Sequence, residues 1–116
     1  MEMDDRREFE RIKIPESARI YVRDSAGKKI GVMHTLGRGG MMVDCPRELA
    51  IGTRLKLTLA DDVEGHSCEV TSIVRYKSDG GYGCEFEKLD VESAVEIGVW
   101  MGRFYSYTEQ DSKSRR

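Results

Sequence analysis

Between residues 18 and 89 the chain alternates apolar and polar residues in short runs, each closed by glycine or charged residues. A period of two places successive side chains on opposite faces, which marks half-buried strands of an antiparallel sheet or barrel. Six strands are predicted, over 18–23, 29–36, 41–43, 54–60, 68–77 and 82–89. In the second, Ile30, Val32 and His34 alternate against Gly31, Met33 and Thr35. In the fourth, Leu55, Leu57 and Leu59 share one face; in the last, Tyr82, Cys84 and Phe86 share one. Asp24-Ser25-Ala26-Gly27 and Ser78-Asp79-Gly80-Gly81 read as turns.

After Asp90, a predicted N-cap, the apolar spacing changes to three and four. Val91, Ala94, Val95, Gly98, Met101 and Tyr105 fall on one helical stripe, with Ile97, Trp100 and Phe104 on a neighbouring one. The predicted fold class is therefore mainly β: a six-stranded antiparallel barrel with a C-terminal α-helix. Its apolar helix face is wide enough to meet both the barrel mouth and a partner. Gly98 and Gly102 form a GxxxG, read first as close packing on the barrel, with a helix-mediated homodimer as the alternative. The expected organisation is an arginine-rich arm over 1–17, barrel and helix over 18–108, and a disordered tail over 109–116.

Composition narrows the function. The 116 residues amount to one domain with one core, hence one site. A formal charge of -2 argues against a nucleic-acid polymer as partner, because phosphate-backbone affinity needs a broad basic face. A small anionic ligand needs only a local cluster. Three cysteines without CxxC spacing favour neither a disulfide framework nor a zinc site. No apolar signal core or membrane-spanning run occurs, so the expectation is a cytoplasmic protein without membrane insertion. No nucleophile and base, carboxylate pair or metal set assembles from spacing, so no enzyme is expected. His34 is read as a strand side chain, His66 as a loop side chain, and Cys68 and Cys84 as core or half-buried thiols.

The cluster that carries chemistry is Arg6-Arg7-Glu8-Phe9-Glu10-Arg11, ahead of the first predicted strand. A guanidinium pairs bidentately with phosphate oxygens or with the O6 and N7 edge of guanine, and its flat face stacks on bases. Read alone, these arginines are as well explained as a solvated leader, ion-paired with neighbouring acids.

The spacing resembles the RRxxxR signature of PilZ domains. Thr35-Leu36-Gly37-Arg38-Gly39-Gly40 occupies the place of that family's second signature, [D/N]xSxxG. The resemblance extends through Leu49-Ala50-Ile51-Gly52-Thr53, Tyr82-Gly83-Cys84-Glu85-Phe86 and the closing helix. It implies a non-enzymatic receptor for cyclic di-GMP that signals through an unidentified protein partner. Arg7 and Arg11 would meet guanine and phosphate, with Arg6 assisting and Arg38 meeting a phosphate. Gly39 and Gly40 are expected at a tight turn, where backbone approaches a ligand or adopts positive φ. Thr35 and Gly37 stand where the family has Asp or Asn and Ser. A hydroxyl cannot bridge two donors as a carboxylate does, and each loss costs about 1 to 2 kcal/mol. The alternative reading is a PilZ scaffold that binds no nucleotide and acts by protein contacts, as members linked to type IV pili resemble.

Overall fold

The computed structural model describes residues 11–114, with side chains described as far as Tyr105. Seven strands form: β1 (Arg11–Lys13), β2 (Ile20–Arg23), β3 (Lys29–Gly37), β4 (Gly40–Asp44), β5 (Arg54–Asp61), β6 (Ser67–Ser78) and β7 (Gly81–Phe86). All pairings are antiparallel. The order β3-β2-β5-β6-β7-β4 returns from β4 to β3, giving a closed six-stranded barrel with no free edge inside the ring. The six strands of the ring are the six expected from the alternation.

β1 is additional. It pairs with β3 through Arg11↔Gly37, Ile12↔Leu36 and Lys13↔Thr35, on the edge that β2 occupies further along. It falls within the stretch expected as an arm, and burial of Ile12 is the reason: its side chain joins Ile20, Val22, Leu36, Met41, Leu59, Val74 and Trp100 in the core. A 3-10 turn, Glu16–Ala18, carries the chain from β1 to β2.

The strands follow the sequence periodicity where the ladder is regular. Leu57 and Leu59 of β5 face inward, as do Tyr82, Cys84 and Phe86 of β7. The β6–β7 hairpin closes by pairing Ser78 with Gly81 around Asp79-Gly80, the predicted turn. The Asp24 turn is fixed by its own carboxylate, which accepts from the Ala26 and Lys28 N–H groups at 3.0 and 2.9 Å. β3 departs from simple alternation. Its register against β4 shifts between Met33 and Thr35, so His34 is the extra residue of a bulge, and Met33 and Leu36 face inward while Val32 and His34 face outward.

The helix α1 (Val91–Ser114) starts on the expected cap: Asp90 Oδ1 accepts from the Ser93 N–H at 2.7 Å. It continues through the segment expected as a tail. Its buried stripe is Ser93, Ile97, Trp100 and Phe104, at 3%, 1%, 0% and 4% exposure. Of the neighbouring stripe, Met101 is partly buried against the core, while Val91 is 79% and Val95 59% exposed. The larger side chains win the barrel mouth because Trp100 and Phe104 remove more apolar area from water than valines do. Gly98 and Gly102 do not pack on the barrel either, since a Cβ added at either meets nothing within 4 Å.

One polar contact locks the helix. Asp61 is 2% exposed, and its Oδ2 accepts from Trp100 Nε1 at 3.2 Å and from the Arg103 guanidinium. Its Oδ1 accepts from the Val63 and Glu64 N–H groups at 3.0 and 3.1 Å. Burial pushes this carboxyl up, but the Arg103 hydrogen bond and charge and the two backbone donors outweigh it, leaving the pKa below the ordinary value of 3.8. A depressed folded pKa means that the stabilisation is complete above the unfolded value and is lost as pH falls through the folded one. Asp61→Asn is therefore expected to destabilise the fold by about 3 kcal/mol at pH 7. In urea unfolding, the gap between variant and parent should close below pH 4.

Candidate ligand-binding face

The outer surface of β1, β3, β4, β7 and β6 is where the sequence-predicted residues meet. Pairing registers set one transverse row across five strands: Lys13, Thr35, Met42, Gly83 and Tyr76. Arg11 lies one outward position along β1 from Lys13, opposite Gly37, beside the β3–β4 hairpin that carries Arg38 and Gly39. Arg11, Thr35, Gly37, Arg38, Gly39 and Gly40 are thus gathered at one end of this face. Arg6 and Arg7 lie outside the described residues.

The Arg11 guanidinium donates to the Tyr76 hydroxyl at 3.3 Å, reaching across the row from β1 to β6. Such a reach is permitted by Gly83. A Cβ built at Gly83 would lie 2.2 Å from Cε1 and Cζ of Tyr76, so the ring occupies the space that any other side chain would fill. The result is a shallow platform: Thr35, Met42 and Gly83 form its floor, and Arg11 and Tyr76 close over it. Tyr76 remains 42% exposed, so part of its ring is open to solvent. Arg75 and Glu85 pair at 2.6 Å on the same two strands. Such an exposed pair sets local charge and contributes little to stability.

Thr35 is the position of greatest chemical interest on the floor. Its Oγ1 is buried without a hydrogen-bond partner among the described residues, a hydroxyl that a ligand group would satisfy. Gly37 is buried and offers main-chain groups only, while Arg38 is exposed. Gly39 and Gly40 stand at the β3–β4 turn, as expected, but without positive φ. Positive φ occurs at Gly27, Gly52, Gly65 and Gly81, and Gly40 instead serves a close approach of strands: a Cβ there would lie 2.4 Å from the Cys84 carbonyl oxygen. Gly39 accepts a hydrogen bond at its carbonyl from the Phe86 N–H at 2.8 Å.

The other candidates take quieter places. His34 lies in β3, and His66 lies in the β5–β6 connection, 3.4 Å from Glu96. Burial pushes the Cys68 and Cys84 thiols up to about 11, which suits packed thiols rather than nucleophiles. Among the described residues no group of three His, Cys, Asp or Glu is placed to hold a metal ion, and no helix is long and apolar enough to cross a membrane. Tyr76 and Gly83 were missed by sequence reasoning. The available signal was a glycine at an outward position of a strand, between inward Tyr82 and Cys84.

The barrel has counterparts among solved structures. The crystal structure of YcgR in complex with c-di-GMP from Escherichia coli superposes with a TM-score of 0.67 at 14% identity, covering 96% of this chain and 51% of that one. This chain thus spans about half the length of that protein. The PilZ domain with c-di-GMP of YcgR from Escherichia coli gives 0.61 at 14% identity, covering 95% and 96% of the two chains. The PilZ domain of CeSA from a cellulose-synthesizing bacterium gives 0.53 at 16%, covering 76% and 90%. These likenesses establish the shared fold. Comparison with curated proteins gives no match. The profile described as PilZ domain matches residues 5–101, from the arginine cluster through the barrel and its outer face to the helix anchor Trp100, and the chain belongs to the PilZ domain family.

Proposed function

We propose that this protein is a non-enzymatic cytoplasmic receptor domain for cyclic di-GMP, which it holds between the N-terminal arginines and the outer face of the barrel, passing the signal to a partner protein. The observation that carries the reading is the Arg11–Tyr76 contact over the Thr35–Gly83 floor, in a family whose solved relatives include one crystallised with c-di-GMP. Arg11 supplies a charged fork for phosphate or for the guanine O6 and N7 edge. Tyr76 supplies an aromatic face for a purine. Thr35 Oγ1, without a partner among the described residues, gains one as a single acceptor or donor. Arg6 and Arg7 complete the cluster from the chain ahead of β1, and Arg38 meets a phosphate at the hairpin. Ligand binding changes the surface shown to the partner.

A second reading has its own observation. Val91, Val95, Val99 and Tyr105, at 79%, 59%, 48% and 45% exposure, line the outer side of α1. An apolar helix face of this kind suits a scaffold acting through protein contacts without nucleotide. Light scattering and pull-down that find a monomer without partners would count against it.

Calorimetric titration with cyclic di-GMP tests the first reading. Saturable heat at micromolar ligand is expected, and no heat from folded protein at high micromolar ligand overturns it. Arg11→Ala should weaken binding about tenfold or more, the loss of one charge-assisted contact. Thr35→Asp with Gly37→Ser should tighten it, by on the order of tenfold for each restored group. Gly83→Ala should displace the Tyr76 ring and weaken binding several-fold, while the melting temperature moves little because only the far end of a side chain must shift.

A further inference from the structure

A cavity of about 210 Å³ opens beside this platform, between the 3-10 turn and the outer surface of β3 and β4. Val32 and Ile14 form part of its apolar lining, and Glu16, Arg19, His34 and Asp44 are the charged or polar residues around it. Two local irregularities converge on it. Arg19 is the non-glycine residue with positive φ, 56°, a left-handed conformation that L side chains avoid. His34 is the extra residue of the β3 bulge, and bulges re-aim side chains at functional surfaces. Asp44 lies opposite Val32 on the neighbouring strand, with its side chain 66% exposed and Oδ2 3.7 Å from His34 Nε2.

We propose that this cavity takes one guanine base of the dinucleotide, with Asp44 accepting from its N1–H and N2–H₂ groups and Arg19 donating to its O6 and N7 edge. The proposal rests on the cyclic di-GMP reading and deepens it by assigning base specificity. A carboxylate bridges two donors, which the Thr35 hydroxyl cannot do. Adenine would present a lone pair at N1 to the same carboxylate and be repelled, so Asp44 selects guanine. An apolar floor flanked by an acceptor and a cationic fork is the environment that a flat heteroaromatic base requires. The position also fits a two-base ligand. Lys13 pairs with Thr35, and the Ile14 N–H donates to the His34 carbonyl at 2.9 Å, so the cavity begins one residue beyond the platform floor. Ile14 lies three residue steps along the chain from Arg11, about 10 Å in extended backbone. One base lies on the Arg11–Tyr76 platform and the other enters the cavity. The carboxylate absent from position 35 is thereby supplied from β4.

Titration of the full chain with cyclic di-GMP and cyclic di-AMP, for the parent, Asp44→Ala and Arg19→Gly, tests this. Arg19→Gly keeps the left-handed backbone without strain and removes the side chain with its guanidinium. Each variant is expected to lose tenfold or more in cyclic di-GMP affinity, and Asp44→Ala should narrow the preference for guanine. Parent-like affinity and preference in both folded variants, in a protein whose binding still falls with Arg11→Ala, would overturn the cavity assignment alone. A parent that binds no cyclic di-GMP overturns the underlying reading as well. Should a variant fail to fold, nuclear Overhauser contacts in the parent decide: guanine H8 to the Val32 methyls is expected, and contacts from both bases only to Tyr76 and Met42 would overturn the assignment.

Discussion

One edge of β3 is shared by two strands, β1 along Thr35–Gly37 and β2 along Lys29–Val32, while β4 takes the other edge. Between the two partners the chain must leave the sheet, turn and re-enter within a few residues. The 3-10 turn and the left-handed Arg19 are how it does so. That departure leaves the outer surface of β3 uncovered around Val32 and His34, which is where the cavity lies. The same arrangement holds Arg11 in register against Gly37, so a residue that leads into the barrel also borders its candidate site. The bulge at His34 belongs to this constraint too, because it lets β3 serve β4 continuously while its partner on the opposite edge changes.

The helix is attached by a separate device, an apolar stripe filling the barrel mouth and a carboxylate that receives an indole and a guanidinium. Asp61 ends β5 and also caps its own turn through the Val63 and Glu64 amides. A single buried acid therefore ties the β5–β6 connection to α1. The two devices communicate through packing: β1 and β3, which border the candidate face, also contact α1. Ile12, buried between Arg11 and Lys13, ties the strand that borders that face into the core.

Charge is arranged locally. Opposite charges on the barrel surface are held in pairs such as Arg54 with Glu87 and Arg75 with Glu85. Among the described residues Arg11 instead meets a phenol, a neutral acceptor that orients the guanidinium. The chain can be close to neutral in total and still present cationic groups on the candidate face.

The barrel was legible because its strands are regular: alternation at Leu57, Leu59, Tyr82, Cys84 and Phe86 states which face is buried, and Asp79-Gly80 states where the chain reverses. The arginine cluster and the glycine-rich hairpin were legible as residue types with a given spacing. Three matters lay beyond any local pattern. Both apolar stripes of the helix satisfy the same periodicity, and only the shape of the barrel mouth chose Trp100 and Phe104 over the valines. The pairing of Tyr76 with Arg11 links residues 65 positions apart through four intervening strand pairings, and no local spacing encodes it. Asp44, Arg19 and His34 converge on one cavity because a strand is bulged and an edge is shared, and those are properties of how the sheet closes. Local sequence determined which residues could form strands, turns and a cationic cluster. Closure of the barrel decided which of them face one another, because register between distant strands is fixed by the burial of the whole core.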